Sequence, residues 1–256
     1  MSTARVSTSQ RLLRKGALIQ ETYRLFQGWR DDATFQVNFD RVFSGALGTL
    51  AWQREVKATL SARFGDFANA RPLLVLARGG LQLDSWVQCY SVWLAIHEPL
   101  FRDFICEWLY PEYAAGRYCV RTEDVVHHLA KAWNAAGKAH RLSEYGLLRT
   151  ARDLLRMARD LRILEGKGPA KTFASIHIND DVALFVCHLI TECEGTPSKV
   201  PASNLWRLFL MSAERVHEML LRLHQFRRVE YHVAGSLVQL SLPCSNPSEY
   251  AERELA

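Results

Sequence analysis

Apolar residues recur at helical spacing through most of the chain. Leu12, Leu13, Leu18, Ile19, Tyr23 and Phe26 form a stripe that predicts a helix over 9–27, with Gly28 at its end. Further helices are predicted over 35–49 and 52–64, and a short buried one over 73–76 before Gly79 and Gly80. The stretch 85–96 is apolar nearly all round, so it reads as a central helix capped by Asp84 or Ser85. Pro99 resets the chain before a helix through Trp108. Trp86, Trp93, Phe101, Phe104, Trp108 and Tyr110 are expected to line the core, and 111–118 reads as a loop or short strand.

The pattern then changes. Thr122 is a candidate N-cap, with Glu123 and Asp124 in the first turn of a helix that runs to about Trp133. A Gly-containing basic connection over 134–141 leads to Ser143, a second cap, and to a helix from Glu144 to about Arg159 or Leu161. Arg162, Ile163 and Leu164 predict a short strand, 165–169 a turn, and Phe173 to Ile178 a return strand. This is the order of a winged helix: helix, turn, helix, wing. Helices over 181–191 and 203–210 follow, then a helix capped by Ser212 and two strands around Ala234, Gly235 and Ser236. The same grammar thus occurs twice, and Leu154, Leu155, Arg156 and Met157 echo Leu220, Leu221, Arg222 and Leu223. The expected fold is mainly α: a helical N-terminal domain (1–120) followed by two winged-helix or helix-turn-helix-like units with short β-hairpins (121–180 and 181–243) and a loose acidic tail (244–256).

A chain of 256 residues with 48% hydrophobic content can bury a substantial core. The net charge of +5 is modest, but it is unevenly distributed. Nine Lys or Arg between Lys138 and Lys171 face four acids, and six in the first thirty residues face Glu21 alone, so the remainder of the chain is acidic.

The candidate functional element lies in the first basic stretch. Arg149, Arg152, Arg156 and Arg159 fall within about 80° of helical arc, opposite Leu148, Ala151, Leu154, Leu155, Ala158 and Leu161. Arginine's planar fork suits phosphate oxygens and guanine edges, which a helix in the major groove must meet along its exposed face. Lys167 and Lys171 in the wing, with Lys138 and Arg141 before the helix, would add phosphate contacts, and Arg11, Arg14 and Lys15 are auxiliary candidates. The competing reading is a solvated amphipathic helix whose arginines pair with Asp153, Asp160 or other acids. Duplex DNA is favoured over RNA because no aromatic platform interleaves the basic residues. In the second unit Glu214, Arg215, Glu218 and Arg222 form a mixed set that suits packing or protein contact.

Catalytic signals are weak. Residues 165–172 end like a phosphate-binding loop, but Glu165 and Ala170 stand where glycines are required. Glu55 with Lys57, or Glu165 with Lys167, imitates a nuclease's acid-x-lysine pair, the first on a predicted helix and the second in a turn. Neither a catalytic residue nor a cofactor is assigned. The six cysteines lack a metal-site spacing; Cys187, His188 and Cys193 come nearest and are read as core residues, so no metal is assigned. His127 and His128 are read as structural. With no signal peptide and no apolar run long enough to span a bilayer, the expectation is a cytoplasmic protein without membrane contact.

Several stretches together resemble the BrxA family of bacteriophage-exclusion (BREX) defence systems. They are Arg14 to Ala17 with Glu21 and Thr22; Arg152 to Leu164; and Val229, Tyr231, Gly235, Val238 and Leu240. The resemblance implies a helical, monomeric accessory factor with helix-turn-helix elements that binds double-stranded DNA without known catalysis. Other BREX proteins are its implied partners. Arg162 and Ile163 depart from the pattern, standing where a glycine-like break is expected. An adaptor role within the defence complex is the alternative, and a nuclease a distant third.

Overall fold

A computed structural model describes residues 15–64, 67–135, 142–235 and 237–255. The fold is mainly α with short antiparallel strands. The first half contains α1 (Ile19–Gln27), α2 (Phe35–Phe43), α3 (Leu50–Arg63), α4 (Arg71–Arg78) and α5 (Leu83–His97). Next come α6 (Pro99–Asp103), a π-helical segment (Phe104–Leu109) and α7 (Tyr110–Ala114). Strand β1 (Cys119–Arg121), α8 (Thr122–Ala135), α9 (Glu144–Asp160), β2 (Leu164–Glu165) and β3 (Ala170–Phe173) follow. The chain ends with α10 (Asp180–Glu194), α11 (Ala213–Gln225), β4 (Glu230–Ala234), β5 (Leu237–Ser241) and α12 (Pro247–Tyr250).

These elements fall into two compact units, each discontinuous in sequence. Residues 15–17, Leu94–His177 and Arg207–Leu210 make the first; Leu18–Trp93, Ile178–Trp206 and the chain from Met211 make the second.

In the first unit, β1, α8, α9 and the β2–β3 hairpin form one motif. β3 is the central strand, antiparallel to β1 (Cys119 opposite Thr172) and to β2 (Leu164 opposite Phe173), giving the order β1-β3-β2. Arg117 fixes the entry to this motif by bonding Glu112 at 2.6 Å and Asp124 at 2.7 Å, and Asp124 also accepts the Arg121 backbone N–H at 2.8 Å. α8 packs along α9. The stretch expected as a loop before β1 is instead helical as far as Ala114, continuing the π-helical segment without a break through Pro111. The expected return strand around Ser175 starts earlier, at Ala170.

In the second unit an aromatic cluster forms the core. Phe64 lies 5.0 Å from both Phe26 and Trp93 between ring centres, and Trp86 stacks on Tyr90 at 4.8 Å. Both indoles are satisfied by backbone oxygens, Trp86 by Leu73 and Trp93 by Asn69. The expected aromatic lining is therefore divided between the units: Trp86 and Trp93 belong to this core, Phe101 and Phe104 are buried in the first unit, and Trp108 and Tyr110 are half-buried. α10 is buried from Val182 to Ile190 and capped by Asn179. Within it Cys187 and His188 are buried, whereas Cys193 is exposed.

Two expectations about the ends are corrected. Among the described residues the first α-helix begins at Ile19, because Gly16 (φ 71°) and Leu18 (φ 50°) take left-handed conformations that a helix cannot include; positions 9–14 lie outside the described residues. The presumed loose tail is ordered in helical turns from Pro247, capped by Asn246, and buries Tyr250 and Ala251. The Tyr250 ring stacks on His188 at 5.0 Å, and its hydroxyl accepts from Arg228 at 3.4 Å.

The internal echo also has a structural form. α9 and α11 end alike, each with an arginine in the left-handed region, Arg162 (φ 62°) and Arg227 (φ 58°). In α9 the Ile163 N–H reaches the Ala158 oxygen and the Arg162 N–H the Arg159 oxygen; in α11 Arg228 reaches Leu223 and Arg227 reaches His224. Both are Schellman caps leading straight into a hairpin. They align Arg162 with Arg227, and so Leu155 with Leu220, one residue away from the alignment of the four-residue sequence echo. The glycine-like break expected at Arg162 is present in geometry and made by arginine.

Candidate nucleic-acid interface

α9 is built as its pattern predicts. The Ser143 hydroxyl accepts from the Gly146 N–H at 3.1 Å, and Glu144 lies in the first turn, where its charge favours the positive end of the helix. Ala151, Leu154, Leu155, Met157 and Ala158 are buried, and each buried leucine contributes about 1.5–3 kcal/mol to holding the helix down. Asp153 is buried as well.

All four predicted arginines are exposed. Arg159 pairs with Asp160 at 3.1 Å, so the solvated-helix reading holds for this one. Arg149, Arg152 and Arg156 have no ion pair or hydrogen-bonded acid among the described residues. Three guanidinium groups therefore project from one stripe with their donors available to solvent or to an anion.

Sequence reasoning missed two features of this face. Tyr145 is 71% exposed in the first turn, and its position falls inside the arginine arc, about 40° from Arg149. The signal was the i, i+4 spacing of Tyr145 and Arg149. The second feature is Gly16. A Cβ there would sit 2.5 Å from Asp160 Oδ2 and 3.3 Å from Arg156 Cδ, so the backbone beside Lys15 lies against the C-terminal half of α9. A glycine at position 16 suits this approach, since it takes φ 71° and has no side chain to displace the Asp160 carboxylate.

In the hairpin, Lys167 is exposed in the turn, where Gly166 takes φ 105°. Lys171 is half-buried on β3, and its ammonium donates to the Gly168 carbonyl, closing the turn instead of projecting from it. Arg11, Arg14, Lys138 and Arg141 lie outside the described residues. Of the acid-x-lysine pairs, Lys57 is held by Asp40 at 2.6 Å, and Glu165 lies on β2 with Lys167 in the adjoining turn. Among the described residues no three His, Cys, Asp or Glu side chains are grouped to hold a metal ion, and no helix is long and apolar enough to cross a membrane.

Residues 82–188 match the BrxA family model. Over that stretch the chain is similar to the BrxA family. The matched stretch holds α8, α9 and the three-stranded sheet; the opening residues around Gly16 and the β4–β5 hairpin lie outside it. Compared with curated proteins and with solved structures, the chain has no significant match.

Proposed function

We propose that this protein is a non-enzymatic, DNA-binding component of a BREX phage-defence system. The first unit acts as a winged helix, with α8 and α9 as the helix pair, α9 in the major groove and the β2–β3 turn over the adjoining backbone. The strand order β1-β3-β2 around the two helices supports that reading. The observation that carries it is the α9 stripe, where Arg149, Arg152 and Arg156 stand exposed without acidic partners. Unneutralised arginines on a rigid helix exchange hydration for phosphate oxygens and release the counterions condensed on DNA. Tyr145 at the N-terminal end of the stripe adds a hydroxyl and an aromatic face at the end that approaches base edges.

Fluorescence anisotropy with a short labelled duplex tests this. Wild type is expected to bind, and Arg152→Ala with Arg156→Ala to weaken binding by about tenfold or more. Equal affinity of the two proteins refutes the proposal.

A second reading, an adaptor for other BREX proteins, is favoured by the second unit. Leu221 (38%), Phe226 (67%), Val233 (43%) and Leu237 (74%) are exposed on α11 and its hairpin. Large apolar side chains left in water suit a protein partner better than a phosphate backbone. Co-purification of other defence proteins that survives the double arginine substitution and is lost with Phe226→Ser would support this role.

A further inference from the structure

Beyond the first turn of α9, every exposed residue is an arginine. Between 146 and 160 these are Arg149, Arg152, Arg156 and Arg159, and all other residues there are buried or half-buried. Over that length the helix offers a groove no exposed asparagine or glutamine for adenine, no exposed carboxylate for the cytosine amine and no exposed aliphatic group for the thymine methyl. What remains is the guanidinium, whose fork matches the O6 and N7 acceptors of guanine as well as phosphate oxygens.

Position along the helix separates the four. Arg159 is tied to Asp160 at 3.1 Å, and Arg156 lies in the C-terminal half, where a Cβ at Gly16 would come within 3.3 Å of its Cδ. Arg152 stands at the midpoint of α9. Arg149 alone lies within the first two turns, the part of a recognition helix that meets base edges when the helix is seated in a major groove. It has no ion pair or hydrogen-bonded acid among the described residues. Glu144, the one exposed acid of α9, lies about 140° round the helix from it, too far round to compete for the guanidinium.

We propose that α9 is selective for guanine. Arg149 donates two hydrogen bonds, to O6 and N7 of a guanine in the major groove, while Arg152 and Arg156 hold phosphates. The inference rests on the DNA-binding reading and adds to it the base that is read. It also distinguishes Arg149 chemically from its neighbours: an arginine that only neutralises a phosphate is replaceable by lysine, whereas one that bridges O6 and N7 is not, because an ammonium has no fork.

Short random-sequence duplexes, prepared once with guanine and once with 7-deazaguanine, separate these roles. The analogue keeps Watson–Crick pairing and every phosphate but lacks the N7 acceptor. Each pool is titrated with the full-length protein and followed by fluorescence anisotropy. Wild type is expected to bind the guanine pool about fivefold to tenfold more tightly, and replacing adenine by 7-deazaadenine should leave affinity unchanged. Arg149→Lys should keep the wild-type salt dependence and lose the preference. Arg152→Ala with Arg156→Ala should bind both pools more weakly and, at reduced salt, keep the preference. No binding of either pool overturns the DNA-binding reading and this inference together. Equal binding of the two pools leaves the DNA-binding reading standing and overturns guanine readout; an equal loss with 7-deazaadenine does the same. A preference undiminished in Arg149→Lys, or lost with Arg152 and Arg156 instead, overturns the assignment to Arg149.

Discussion

Substituting Gly16 by alanine probes the approach of the N-terminal segment to the basic helix, and Gly45→Ala supplies its control. Both glycines have nearly the same backbone conformation, φ 71° and 68°, so an alanine at either position meets the same left-handed penalty of about 1–2 kcal/mol. They differ in space: a Cβ at Gly45 meets nothing within 4 Å, whereas one at Gly16 comes within 2.5 Å of Asp160 Oδ2. The carboxylate must swing away, which strains or breaks its 3.1 Å pairing with Arg159, and the Arg156 stem at 3.3 Å must give as well. That pair is partly exposed, so its loss costs only about 0.2–1 kcal/mol, and displaced packing adds a similar amount. Gly16→Ala should therefore be less stable than Gly45→Ala by about 1 kcal/mol. Urea unfolding followed by circular dichroism and tryptophan fluorescence reads the difference, with m-values checked for equality. Equal losses at the two positions would mean that Gly16 does not lie against α9, and would remove Lys15 from the interface.

Three further outcomes follow from the geometry. Burial depresses the His188 pKa to about 4, so this imidazole folds neutral; its contribution is complete above pH 6.5 and is lost as pH falls towards 4, by about 2 kcal/mol at pH 5. His188→Gln should flatten the urea midpoint between pH 7 and 5 relative to wild type, and parallel curves would refute the assignment. Arg227→Gly should raise stability by about 0.5–1 kcal/mol, because glycine relieves the left-handed strain at φ 58° where the guanidinium is exposed; a lower urea midpoint would count against a strained cap. Tyr145→Ala should weaken duplex binding several-fold without changing its salt dependence, since the ring carries no charge, and a changed slope would contradict that role.

The parts of the interface legible in the sequence were those written in local chemistry. Ser143 as cap, the span of α9 and the common face of its arginines follow from the 3.6-residue period and from capping alone, and the structure has them in place. What escaped depends on distant partners. The three residues of β1 carry little strand signal; they form a strand because Cys119 and Arg121 pair with Thr172 and Ala170, some fifty residues on. Gly16 is read as an ordinary helix residue until its neighbour proves to be Asp160. Lys171 looks as available as Lys167 in sequence, yet one projects from the turn and the other closes it. At Arg162 and Arg227 left-handed caps form without glycine or asparagine, so the usual signal for a helix end was missing. In the C-terminal segment, acidic composition outweighed the single feature that decides its fate, Tyr250, which the second unit buries.

The central claim, that α9 grips duplex DNA through its unpaired arginines, is tested most directly by the slope of the logarithm of the binding constant against the logarithm of salt concentration. Each phosphate neutralised contributes about 0.9 to that slope. The account expects a steep wild-type line and a line flatter by about two for Arg152→Ala with Arg156→Ala. A wild-type slope near zero, or an identical slope in the double variant, would contradict it.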